Sequence, residues 1–303
     1  MPYYIKLYSM KLWLWFIIVI IIGILFGMLI TFLFGKFPES WLQDYDYDVN
    51  AKNFRLAKRM KMVPHGIISC AGIALSYCIS IVFAPDYYLS PQFMKISVII
   101  LLMPMLFLII MADKLNRIIP DQFSVYIIIL AVIAGIGDYV DGSIWFSQEA
   151  AWYAPILNRI IAAVAGGGFL WLIGFLSMTF AGREGMGQGD MKLLFALGLL
   201  SGCYGLIIIV YVSIFSALIF AIPMIIRKRK RIREEEDIIK NSKNPNKKRR
   251  ELELKRAQIH YAEDPDYLAF GPFLALGCAV FIAAEPMIYT LMLNYFSGLG
   301  VIF

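Results

Sequence analysis

Apolar residues in this chain fall in long unbroken blocks, with neither the alternation of a half-buried strand nor the single stripe of a surface helix. Such blocks lie at 12–34, 65–84, 95–112, 122–139, 155–180, 190–205, 206–226 and 266–294. Most come near the roughly 20 residues that an α-helix needs to cross a bilayer core. The pattern predicts an all-α, polytopic membrane bundle of about eight transmembrane helices. Its least marked boundary separates 190–205, a short block, from 206–226. The first block is too long for a signal-peptide core and lacks a small-x-small cleavage site, so it reads as a retained helix.

Composition agrees with this pattern. Of 303 residues 60% are hydrophobic and 17% charged, with mean hydropathy +0.71, more apolar surface than a soluble domain can bury. Charge then orients the bundle. Fourteen of the 28 Lys and Arg lie in 227–256 and six more between Lys36 and Lys61, whereas 85–94 and 140–154 carry none. By the positive-inside rule 35–64 and 227–265 face the cytoplasm. Counting spans from there puts 113–121 and 181–190 on the cytoplasmic face as well, with both termini outside. The net charge of +6 follows from this topology and from the anionic inner leaflet, so Arg227-Lys228-Arg229-Lys230-Arg231 reads as a membrane anchor and no nucleic-acid partner is expected.

The chain divides into 1–64, a first transmembrane helix with a short cytoplasmic loop, and 65–303, a membrane domain with a cytoplasmic insertion at 227–265. The insertion predicts two short charged helices around the turn-forming run 241–246. Cys70, Cys78, Cys203 and Cys278 all lie inside predicted spans without a CxxC pair, and His65 and His260 stand alone. Apolar packing is expected of the cysteines, and no metal or other cofactor. Gly166-Gly167-Gly168 predicts close helix packing.

Two aspartates stand at the membrane boundary. Asp113 follows an apolar block and precedes Ile119-Pro120-Asp121; Asp190 follows Gly187-Gln188-Gly189 and precedes another block. A carboxylate beside hydrocarbon costs a few kcal/mol or more, so a pair on one face points to function. Two carboxyls that meet can share a proton and activate a water, as in aspartic proteases. The two glycines would allow positive φ and a close backbone approach. Asp190 opens its helix, where the dipole favours a negative charge, and Asp113 ends one, so Asp190 is expected as base and Asp113 as proton-bearing acid, the proton belonging to the pair. A third break, Gly271-Pro272 at the cytoplasmic start of the last span, frees backbone groups at the same level.

These frames resemble those of the type IV prepilin peptidases, membrane aspartic peptidases of the GxGD type related to preflagellin peptidases. One motif is Asp113 with the Ile119-Pro120-Asp121 turn seven residues later. A second is Glu184 to Leu193, of the form Glu-x-Met-Gly-x-Gly-Asp-x-Lys-Leu. A third is Phe270 to Gly277. The three occur in order over about 95–290. The resemblance implies Asp113 and Asp190 as catalytic residues, with Glu184, Gly187, Gly189, Lys192, Pro120, Asp121, Gly271 and Pro272 in supporting motifs. It implies cleavage of a short basic leader from prepilins or pseudopilins at the cytoplasmic face of the inner membrane, with 65–303 as the peptidase domain.

Bifunctional members of that family carry two CxxC pairs between the first two spans and methylate the new N-terminus. Here 35–64 has no cysteine, so the zinc element is absent and the resemblance does not carry N-methylation to this chain. The alternatives are a GxGD peptidase for another precursor, such as preflagellin, a proton-coupled transporter, and a catalytically silent scaffold. Against a transporter, the acids sit at one face and no internal repeat is visible.

Overall fold

The computed structural model describes residues 2–43, 55–90, 92–147, 150–181, 187–242, 244–257 and 268–298. Among them are α1 (Pro2–Lys36), α2 (Ile67–Phe83), α3 (Pro85–Leu89), α4 (Phe93–Asn116), α5 (Asp121–Gly137), α6 (Ala154–Ala181), α7 (Gln188–Lys240), α8 (Pro245–Ala257) and α9 (Gly271–Gly298), and no strand. Seven helices are long and apolar enough to cross a membrane. Their outward side chains, such as Ile17, Phe32, Val132 and Ile219, are exposed and apolar, whereas Ile73, Leu102, Ile109, Ile127 and Leu274 fill the interior. The chain is a multi-pass helical membrane bundle.

The seventh helix accounts for two of the apolar blocks. It runs for 53 residues but is broken at Gly202, whose φ of 69° and ψ of −177° leave the helical region. Before the break it runs antiparallel to α6, with Leu194 and Phe195 against Gly166 and Gly167, and Gly198 against Ala162. After it, Gly205 meets Phe281, and Ile209 and Ser213 meet Gly277, so the chain now runs antiparallel to α9. Blocks 190–205 and 206–226 are therefore separate passes joined at one glycine, whose positive φ a side chain would strain.

A break inside a membrane frees carbonyls and N–H groups that lipid cannot satisfy. The start of α6 supplies the partners. Asn158 Oδ1 accepts the Cys203 N–H at 3.2 Å, and the Arg159 guanidinium donates to the carbonyls of Leu199, at 3.2 Å, and Leu200. Arg159 is itself paired with Asp138 at 2.7 Å, and both are largely buried. Next to this pair Glu285 accepts from Tyr87 Oη and Trp145 Nε1, each at 2.8 Å.

At α1 the glycine spacing carries the packing. A Cβ on Gly23 would lie 2.6 Å from Ala74 Cα, and one on Gly27 2.5 Å from Cys70 Cα, so α1 and α2 touch backbone to backbone. The insertion departs from two short helices. Its first half is the unbroken end of α7, which continues through the basic run to Lys240, and among the described residues α8 alone is separate. In α9 the Gly271-Pro272 pair sits at the start, and a further kink falls at Ala284 (φ −124°, ψ 18°), just before Pro286.

Two substitutions test this packing by thermal unfolding in detergent. Gly27→Leu should destabilise by about 1–3 kcal/mol through overpacking, while Gly35→Leu, with no atom within 4 Å of its Cβ position, should melt as wild type. Arg159→Met should cost about 3–5 kcal/mol, because Asp138 loses its buried partner. Melting temperatures unchanged in both would contradict the packing described.

Candidate active site

Asp113 lies in the last turn of α4 and is 5% exposed; Asp190 lies in the first turn of α7 and is 8% exposed. The turn between α4 and α5 brings them to one place. Arg117 caps α4 with a left-handed φ of 60°, its N–H donating to the Asp113 carbonyl at 2.9 Å. The chain then reverses through Ile119 and Pro120, and Pro120 is the N-cap of α5.

Ile119 is the piece that the three motifs share. A Cβ on Gly189 would lie 3.2 Å from Ile119 Cβ, and one on Gly271 would lie 2.6 Å from both Ile119 Cδ1 and Asp113 Oδ2. A Cβ on Gly187 would lie 3.4 Å from Asp190 Oδ2. The ends of α4, α7 and α9 thus converge on one side chain, with a carboxyl on α4 and another on α7. Asp113 Oδ2 and Asp190 Oδ1 are buried and accept no hydrogen bond from the described protein atoms.

The glycines work differently from the expectation. Gly187 is the N-cap of α7 at φ −69° and Gly189 lies within the helix, so neither adopts positive φ. The value of Gly189 is its lack of a side chain where Ile119 presses in. Asp113 ends its own helix and lies against the first residue of α9, where a Cβ on Gly271 would fall 2.6 Å from Asp113 Oδ2.

The supporting residues separate by location. Lys192 Nζ lies 2.9 Å from both Asp121 carboxylate oxygens, tying the start of α5 to the start of α7 in a half-exposed ion pair. Gly271 and Pro272 open α9 over Asp113. Glu184 falls outside the described residues. Sequence reasoning missed Ile119 as a contact and Asn116, a buried amide three residues beyond Asp113. A polar residue fully buried at a membrane boundary is a signal in principle, but burial is invisible along a sequence.

A cavity of about 750 Å³ opens between α5, α6 and α7, walled by Val125, Ile128, Trp171, Phe175 and Met178. Its α7 wall is Gln188, Met191, Lys192 and Phe195, one face of that helix. At 3.6 residues per turn, Asp190 lies on the other face. The cavity is behind the carboxyl pair.

Residues 100–222, which include both aspartates, match the type IV leader peptidase family. Over 116 residues the chain is 31% identical to a protein of Neisseria gonorrhoeae named prepilin leader peptidase/N-methyltransferase, covering 38% of this chain and 36% of that one. Proteins of the same name from Xanthomonas campestris pv. campestris and Aeromonas salmonicida are 29% identical over 101 residues and 39% over 74, covering 33% and 24% of this chain and 31% and 25% of theirs. The chain thus spans about a third of the length of these relatives or less. No solved structure matches it.

The convergence on Ile119 can be tested without any activity. In a variant lacking the four native cysteines, Ile119→Cys with Gly189→Cys should form a disulfide on mild oxidation, since their Cβ positions approach the bonding range. Failure to cross-link would mean that the two motifs do not meet.

Proposed function

We propose, since residues 100–222 belong to the type IV leader peptidase family, that the chain is a membrane aspartic endopeptidase that removes the short basic leader of type IV prepilins or pseudopilins. One observation supports this above the others: two carboxyls from separate motifs, both nearly excluded from solvent, flank a single side chain at one end of the bundle. The charge distribution supports a cytoplasmic position for that end in the inner membrane, with 65–303 as the peptidase domain.

In the reaction the pair holds one water and one proton. The ionised carboxyl takes a proton from the water as its oxygen attacks the scissile carbonyl carbon. The protonated carboxyl gives its proton to the carbonyl oxygen. On collapse the C–N bond breaks, the leaving amine takes a proton from the carboxyl that deprotonated the water, and a hydroxyl of the tetrahedral intermediate returns its proton to the other carboxyl. Neither metal nor covalent intermediate enters these steps. Gly271 would keep the start of α9 close to Asp113, and the Asp121–Lys192 pair would hold the first turn of α7 in place. The position of both acids at helix ends disfavours a transporter, whose ion sites lie near the bilayer midplane.

The test is cleavage of a purified prepilin by the protein in liposomes. Asp113→Asn and Asp190→Asn should each lower the rate by at least about 10²-fold while remaining folded. Wild-type rate should trace a bell against pH, highest where the pair holds one proton. Undiminished cleavage by both variants would exclude the aspartic mechanism. The mass of the mature N-terminus reports whether methylation accompanies cleavage.

A further inference from the structure

The loop between α1 and α2 is fastened to the Asp113 motif in a way that cleavage chemistry alone does not require. Asn116 is 5% exposed, and both ends of its amide go to one backbone residue. Its Oδ1 accepts the Lys58 N–H at 2.8 Å, and its Nδ2 donates to the Lys58 carbonyl at 3.1 Å. Few side chains offer a donor and an acceptor at this spacing.

The loop is a unit of its own. Arg59 donates to the carbonyls of Phe34 and Phe37 and pairs with Glu39. Glu39 in turn accepts from the Ala57 N–H and from Gln43, and Gln43 also donates to the Arg55 carbonyl at 2.7 Å. Leu42 and Met60 are buried beneath it. Segments 37–43 and 55–61 are therefore held together as one piece. That piece has a second grip, because the Phe37 ring lies 5.9 Å from that of Phe123, which is buried in the first turn of α5.

The two grips straddle a short stretch, with Asn116 before it and Phe123 after it. Between them lie Arg117, in a left-handed conformation that non-glycine residues disfavour, and Ile119, against which Gly189 and Gly271 pack. A turn held away from its preferred shape needs its surroundings to hold it there. Its displacement would move Ile119 and with it the spacing of Asp113 and Asp190.

We propose that Asn116 is a positioning residue for the carboxyl pair, locking the α1–α2 loop as a splint across the turn 117–120. This rests on the reading of Asp113 and Asp190 as the catalytic pair. Two carboxyls acting on one water tolerate little displacement, and a shift of about 1 Å can lower a rate about 10²-fold. The splint therefore acts on turnover rather than on substrate affinity.

The experiment compares full-length wild type, Asn116→Ala, Phe37→Leu and Tyr126→Phe in liposomes on a prepilin, with Asp190→Asn as the inactive baseline. Tyr126→Phe is the control for general loosening, since it removes one α5–α4 hydrogen bond, to the Leu101 carbonyl, remote from the loop. Asn116→Ala should lower kcat by about 10- to 100-fold, leave KM within about twofold, and displace the pH profile of kcat. Phe37→Leu should show the same signature more weakly, and it carries the test if Asn116→Ala does not fold. Tyr126→Phe should match wild type. The proposal is overturned if kcat and its pH profile are unchanged in both loop variants, if only KM rises, or if Tyr126→Phe reproduces the effect. An active Asp190→Asn would instead remove the reading on which the proposal stands.

Discussion

Backbone inside a membrane must satisfy its own hydrogen bonds, and the rest of this structure follows from how the chain meets that demand. Most of it does so by being helical. Among the described residues, three interruptions are met by named groups. At Gly202 the freed groups go to Asn158 and Arg159. After Asp113, the Arg117 N–H closes α4 onto the Asp113 carbonyl, and Asn116 turns outward to the α1–α2 loop. At the start of α9, Phe270 accepts from Phe273 and Leu274. At Gly202 and after Asp113 the interruption of helix is thus a place where distant elements are tied together.

The two ends of the bundle use these ties differently. At one end they are rigid and fully paired, with Arg159 against Asp138 and Glu285 against Tyr87 and Trp145. At the other, two carboxyls remain with oxygens that no described protein atom satisfies. A charge pair buried and saturated serves structure. Buried carboxyls without partners keep lone pairs that a saturated pair does not, and the proposed chemistry at the Asp113 end draws on that contrast. The large apolar cavity between α5, α6 and α7 lies on the opposite face of α7 from Asp190.

Helical passes, their number and the two aspartates were legible along the chain, because hydropathy over a window is a local property and a carboxyl beside it stands out. The boundary between the two passes at Gly202 was the least marked along the chain, and the break in the backbone there separates them. Less legible were the roles of small residues. Gly187 and Gly189 suggested an unusual backbone, yet both have ordinary conformations, and Gly189 serves by leaving space for Ile119. That Asp113, at the end of α4, lies against Gly271 at the start of α9 was likewise not legible, because it depends on how the two helices pack.

By itself the sequence determined a helical membrane bundle, the boundaries of its apolar blocks and the identity of two acids in motifs that mark a peptidase family. These rest on composition and short-range spacing, which survive any arrangement of the helices. Only the tertiary structure decided that Ile119 sits among Asp113, Gly189 and Gly271, that Lys192 reaches Asp121, and that Asn116 holds Lys58. Such contacts join residues far apart in the chain, and their geometry arises from how whole helices pack, which no local window encodes.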